Sequence, residues 1–242
     1  MSSAPYIAQN AAKVIKAVRE TAEASGRDPS EVGILAATKY TDRTGVEMLL
    51  RAGITLIGEN RVQDAFAKLG AAEDGSKKDI REDFPECRIH MIGHLQTNKI
   101  NQALKLFDSI ETVDRIPLAE ALEKRLDKIL PILVEVKLTS EDTKTGCPQD
   151  ELNTLLEYIR RDCPHLELRG LMGMGPFDEN PEIARPYYRR LKELFETSRD
   201  ASPNPETFKV ISMGMSADFH VAIQEGATLV RIGRALFDQF TP

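Results

Sequence analysis

Eight short apolar runs, each followed by a stretch of helical periodicity, constrain this chain more than any other feature of its sequence. The runs are VGILAAT (32–38), ITLIG (54–58), RIHMIG (88–93), FDSIETV (107–113), PILVEVKL (131–138), LELRGLM (166–172), FKVISMG (208–214) and TLVRIG (228–233). They are rich in β-branched residues and too short for helices, so each reads as a strand. Nearly continuous apolar character marks strands covered on both faces, as in a parallel sheet. Between them lie amphipathic patterns such as Val46, Leu49, Leu50 ending at Gly53, then Val62, Ala65, Phe66, Leu69, and later Leu152, Leu155, Leu156, Ile159. Another helix precedes the first strand, with Ile7, Ala11, Val14, Ile15, Val18 and Ala22 on one face and Gly26 as its stop.

Eight parallel strands fit either an open doubly wound sheet or a closed barrel. Single alternation without a break in composition favours closure. The expectation is an α/β chain forming one (β/α)8 barrel of the TIM type over residues 1–242, as a single domain with an extra N-terminal helix. The segment 70–86, GAAEDGSKKDIREDFPE, is charged, contains glycine and lacks clear periodicity, so it reads as a flexible loop before the third strand.

Composition narrows the function classes. A hydrophobic share of 41% supports a large core, and a net charge of −6 argues against a protein that coats nucleic acid. No window resembles a secretory leader or a bilayer span, so no membrane association is expected. The three cysteines, Cys87, Cys147 and Cys163, lack the spacing of a metal knuckle and fit a reducing compartment. The expected location is the cytoplasm, and the expected state is a monomer.

In such a barrel, chemistry gathers at the carboxyl ends of the strands. Lys39 follows the first run directly. A lysine partly desolvated there presents a neutral amine able to attack an aldehyde, whereas a solvated lysine closing a strand is the plainer alternative. After the seventh and eighth strands, SMGMS (212–216) and RIGRA (231–235) put glycines and hydroxyls at helix starts, with Ser216 suited to a helix cap. Each alone reads equally well as an ordinary tight turn; together they resemble a phosphate cradle. A Schiff-base lysine with a phosphate cradle is what pyridoxal 5'-phosphate (PLP) requires. Arg231 is the candidate partner for the pyridine nitrogen, the alternative being a buried arginine in an ion pair.

Other motifs carry less. His90 and His94 lack further ligands for a metal, so no metal is expected. Lys137 is either a second amine facing the cofactor or half of an ion pair with Glu135 or Glu111. The run TSEDTKTG (139–146) reads as a solvated turn.

The motifs ATK around Lys39, GENRVQD from Gly58, HMIGHLQTNK from His90, LRGLMGMGP from Leu168, ISMGMSADFHVAI from Ile211 and VRIGRALF from Val230 resemble, in order and almost end to end, the PLP homeostasis family. Its barrel looks like the N-terminal domain of alanine racemase. The resemblance implies PLP held as an internal aldimine on Lys39, with Asn60 beside the cofactor and Ser212, Gly214, Arg231 and Gly233 holding ring and phosphate. It also implies control of PLP supply, delivery to PLP-dependent apoenzymes, and no established turnover. Two positions depart from the family pattern: Tyr40 stands where a small hydroxyl residue is frequent, and Arg234 where threonine is frequent.

Two rival readings remain open. An amino-acid racemase would need a second acid or base on the opposite face of the cofactor, a group that alanine racemase takes from a separate domain not expected here. A Schiff-base aldolase would use the cradle for a phosphorylated substrate and hold no PLP.

Overall fold

The computed structural model describes residues 6–72, 74–139 and 145–238. Its eight strands are β1 (Gly33–Ala37), β2 (Leu56–Glu59), β3 (Arg88–Met91), β4 (Ser109–Val113), β5 (Leu130–Val136), β6 (Leu166–Gly173), β7 (Val210–Ser212) and β8 (Leu229–Ile232). All neighbours are parallel, and β8 returns to β1 with Gly33 opposite Leu229 and Ala36 opposite Ile232, which closes the barrel. The barrel expectation holds, and every run read as a strand overlaps one.

Ten α-helices accompany them: α1 (Tyr6–Ala24), α2 (Arg43–Arg51), α3 (Val62–Leu69), α4 (Ile80–Asp83), α5 (Ile100–Leu106), α6 (Ile116–Glu123), α7 (Leu152–Asp162), α8 (Arg185–Asp200), α9 (Phe219–Gln224) and α10 (Arg234–Phe237), counted among the described residues. The apolar stripe of α1 buries Ile7, Ala11, Val14, Val18 and Ala22 against α2, α9 and α10. Asn10 ties this helix to the chain beyond the barrel, donating to the carbonyls of Leu236 and Asp238 at 3.3 and 3.0 Å. No helix among the described residues is long and apolar enough to cross a membrane.

The charged segment 70–86 contains α4, which periodicity did not reveal because it is four residues long. Its start is fixed by a capping box between Asp79 and Glu82, and Ile80 is buried beneath it. Arg81 anchors it further, donating to the carbonyl of Leu106 at 3.0 Å and to Asp108 at 3.2 Å. Most of the turn 139–146 lies outside the described residues.

Barrel interiors are ordinarily filled by branched apolar side chains. Here a polar chain crosses the interior, because Glu111 on β4 is bonded to Ser212 on β7, which is bonded to Arg231 on β8. Strands β4 and β7 are not neighbours in the sheet, so these side chains meet inside the barrel.

Candidate functional site

At the carboxyl ends of the strands, Lys39, Asn60, Arg231 and Gly233 line one cavity of about 380 Å³. Its wall also includes Phe177, Asp178, Met215, Ser216, Ala217 and Asp218. Four of the six residues expected around a cofactor therefore face a common space. Ser212 and Gly214 do not, and their parts differ.

Lys39 sits one residue beyond a pinned backbone. Glu59, almost wholly buried at the end of β2, accepts from the hydroxyl of Thr38 at 2.5 Å and from Lys68 Nζ at 2.8 Å, while Lys68 also donates to the carbonyl of Thr38 at 2.6 Å. This clamp holds the chain just before Lys39. The Lys39 side chain is exposed, with its ammonium 5.0 Å from the centre of the Tyr40 ring. Of the two readings of Lys39 drawn from its position, the structure has the solvated one; the lysine stands at an open mouth. Tyr40, where the family pattern has a small hydroxyl residue, leans over the β8 turn, since a Cβ on Gly233 would lie 3.1 Å from its ring edge.

Arg231 lies beneath the mouth and is 5% exposed. One Nη donates to Ser212 Oγ at 2.7 Å and the other to the carbonyl of Gly173 at 3.0 Å. A guanidinium has five N–H donors, so others remain for a ligand. Ser212 is thus a support behind Arg231, fully buried, and its hydroxyl donates to Glu111 at 2.7 Å. Glu111 also takes a bond from His90 Nδ1 at 2.8 Å. Burial alone would raise the Glu111 carboxyl. The hydrogen bond from His90, then the charges of His90 and Arg231 and the bond from Ser212, outweigh burial and hold it below the usual carboxylate range. The barrel core therefore carries an anion facing the Arg231 cation. Arg231 makes no direct ion pair among the described residues; Glu111 reaches it through one intervening hydroxyl, and the guanidinium still lines the cavity.

Gly214 shapes the β7 turn from behind. Its φ of +88° suits glycine, and a Cβ there would lie 2.4 Å from that of Ala222 on α9. Beyond it, Ser216 Oγ accepts from the N–H groups of Gly233 and Ala235 at 3.1 and 3.3 Å. Ser216 is a helix cap as expected, but for α10 rather than for α9, which follows it. Asp218 turns back to accept from the Met215 N–H at 2.6 Å and from Tyr188 Oη at 2.7 Å. The N–H groups of Ser216, Ala217 and Arg234 have no acceptor among the described residues and lie in residues lining the cavity. Arg234, the second departure from the family pattern, packs its guanidinium 5.3 Å from the centre of the exposed Phe177 ring at the rim.

Asn60 is placed by a close approach that sequence reasoning missed. A Cβ on Gly93 would fall 2.2 Å from the Asn60 carbonyl oxygen, so only glycine lets the β3 turn rest on the β2 turn. The signal was present as a glycine ending the third run. Lys137 pairs with neither candidate carboxylate, because Glu111 is held by His90 and Ser212, and Glu135 Oε1 by Thr145 at 2.9 Å. His90 and His94 do not converge: the first turns into the barrel to Glu111, and the second lies 3.9 Å from Asp114.

A ligand suited to this cavity offers an electrophilic carbon to a primary amine, a polar ring atom to a buried guanidinium, and an anionic group to the N–H groups of two turns. PLP has all three features.

Comparison with known proteins gives the same direction. The model of the alanine racemase N-terminal domain family matches residues 9–239. The pyridoxal phosphate homeostasis protein of Aquifex aeolicus is 36% identical over 234 residues, covering 94% of this chain and 95% of the relative. That of Pseudomonas aeruginosa is also 36% identical, covering 96% of this chain and 94% of its own. Among solved structures, PipY of Synechococcus elongatus with PLP bound superposes with a TM-score of 0.76 at 28% identity, covering 96% of this chain and all of its own.

Proposed function

Because the chain belongs to the pyridoxal phosphate homeostasis proteins, within the wider family of alanine racemase N-terminal domains, we propose that it binds PLP reversibly and covalently and buffers its supply in the cytoplasm. The observation that carries this reading is the convergence in one cavity of Lys39, the buried Arg231 and the unengaged N–H groups of the turns after β7 and β8. Lys39 is the amine for the cofactor's aldehyde carbon. Arg231 faces the ring nitrogen, Asn60 flanks the ring, and Ser216 with the neighbouring N–H groups and Gly233 receives the phosphate. Ser212 and Gly214 act from behind, the first on Arg231 and the second on the turn.

When bound, PLP supplies a reactive aldehyde and an electron-withdrawing ring. A permanently charged guanidinium at the ring nitrogen keeps that nitrogen unprotonated and the ring a weak electron sink, which suits storage more than turnover. Exposure of Lys39 at an open mouth suits exchange, and we infer delivery of PLP to apoenzymes by a monomer. The test is a visible spectrum of the purified protein, then borohydride reduction and peptide mass mapping. A yellow protein with a pyridoxyl phosphate adduct on Lys39 is expected. A colourless protein that PLP does not reconstitute would overturn the reading in favour of a Schiff-base barrel acting on a phosphorylated substrate.

A further inference from the structure

At the opposite end of the barrel, the amino ends of the strands enclose a second cavity of about 450 Å³. That face of a barrel ordinarily serves stability. This cavity combines apolar walls at Leu56, Leu133 and Leu229 with a polar side formed by Arg88, His90 and Glu111. Its charges are unevenly matched. The carboxylates facing it are all engaged: Glu111 by His90 and Ser212, and Asp108 by Arg81 at 3.2 Å and by the Ile89 N–H at 2.8 Å. Of the cations, Arg169 pairs with Glu167 at 3.0 Å, but among the described residues Arg88 donates only to the carbonyls of Pro85 and Cys87, at 2.8 and 2.9 Å. His90 spends Nδ1 on Glu111, and its Nε2 has no partner among the described residues. A guanidinium without a counter-anion and an unengaged imidazole nitrogen, set among leucines, are complementary to an anion with an apolar body.

Nor is this cavity isolated from the first. From His90 the contacts run without a break to Glu111, to Ser212 and to Arg231, which lines the cofactor cavity. We propose that the amino-end cavity is a second ligand site, for a small monocarboxylate with an apolar body, and that its occupancy reaches Arg231 through His90, Glu111 and Ser212. The coupling rests on Arg231 facing the PLP ring; the site itself does not. A carboxylate at Nε2 places His90 between two anions. His90 then donates from both nitrogens, one to the ligand and one to Glu111. The imidazole is shared between two carboxylates, and the hold of Glu111 on Arg231 through Ser212 changes with it. Besides Glu111, the charged groups facing His90 in the cavity are Arg88, Asp108 and Arg169.

The experiment titrates the PLP-loaded protein with butyrate, by calorimetry and by the visible spectrum of bound PLP. Saturable binding at one site is expected, with the absorption maximum moving along the same isotherm. Arg88→Ala, at an exposed position on the rim, should weaken binding at least about ten-fold. Glu111→Gln should still bind butyrate while the spectrum stops following it. No binding, binding indifferent to Arg88→Ala, or binding to the apoprotein that PLP displaces would overturn the site. Arg88-sensitive binding with a silent spectrum would overturn the coupling. If Arg231→Ala leaves the PLP spectrum of the unliganded protein unchanged, the placement of Arg231 at the ring fails instead, and the calorimetric result still decides the site.

Discussion

Arg231 on β8 donates a 2.7 Å hydrogen bond to the hydroxyl of Ser212 on β7, so two residues that the family resemblance places at the cofactor are bonded to one another, the serine behind the arginine. Ser212→Ala should leave the cavity wall intact while freeing Arg231 and stripping Glu111 of a donor. Loss of about 1–3 kcal/mol is expected, since a buried acceptor is left unsatisfied. The PLP absorption should shift with it. Denaturant titration reads the first effect and the visible spectrum the second; a mutant with wild-type values in both would remove Ser212 from the role of brace.

Lys39→Ala should abolish borohydride-trapped PLP while leaving the barrel folded, because the Lys39 side chain is exposed and the clamp on Thr38 does not use it. Mass mapping after reduction tests this. An adduct on Lys137 or another lysine would reassign the covalent site.

Gly93→Ala forces a Cβ to within 2.2 Å of the Asn60 carbonyl, a clash with backbone that no side-chain rotation relieves. A loss of stability of about 1–3 kcal/mol is expected from this overpacking. Because Asn60 is the part displaced, weaker PLP retention should accompany it, measured by equilibrium dialysis against the wild type.

The pH dependence of Glu111 has a definite sign. Its carboxyl is held below the ordinary range in the fold, so it contributes stability above its unfolded pKa, and that contribution is lost as pH falls through the lowered folded value. Glu111→Gln should therefore cost about 3–5 kcal/mol near neutral pH, where it leaves Arg231 without its anion. The gap between mutant and wild type should close on acidification. Chemical denaturation at pH values from neutral downward measures it, and a gap that widened in acid would contradict the anionic assignment.

The three cysteines are buried, and burial raises their thiols, Cys87 and Cys147 to about 12 and Cys163 to about 11. The native protein should react negligibly with a thiol reagent near neutral pH and yield three equivalents once denatured. Fast labelling of the native state would show that one of them is accessible.

The strands were legible because strands covered on both sides have no polar face to interrupt the apolar run. Boundaries were less so. The run FKVISMG yields only Val210–Ser212 as β7, because Phe208 stacks on Phe195 of α8 at 5.1 Å and Gly214 turns the chain under α9. That Lys39 and Arg231 line a cavity at the carboxyl ends followed from their places in the first and last runs. The partners of Arg231 were not, since Glu111, Ser212 and His90 come from three other strands and meet only when the sheet closes. A serine facing a cofactor and a serine bracing an arginine look alike in sequence. The same dispersion left Glu111 and Glu135 as alternative partners for Lys137 in the sequence, a choice that only interior geometry could decide.

The polar chain through the barrel also bears on how the molecule assembles. Glu111 and its partner His90 belong to the first half of the strand order, and Ser212 and Arg231 to the last two strands, so a half-barrel leaves the acid without the hydroxyl and the cation that complete its support. Hydrogen bonds to charged groups contribute about 1.5–3 kcal/mol each. Although a repeated βα architecture invites stepwise folding, this polar chain makes the two halves interdependent and favours gain or loss of structure as a unit.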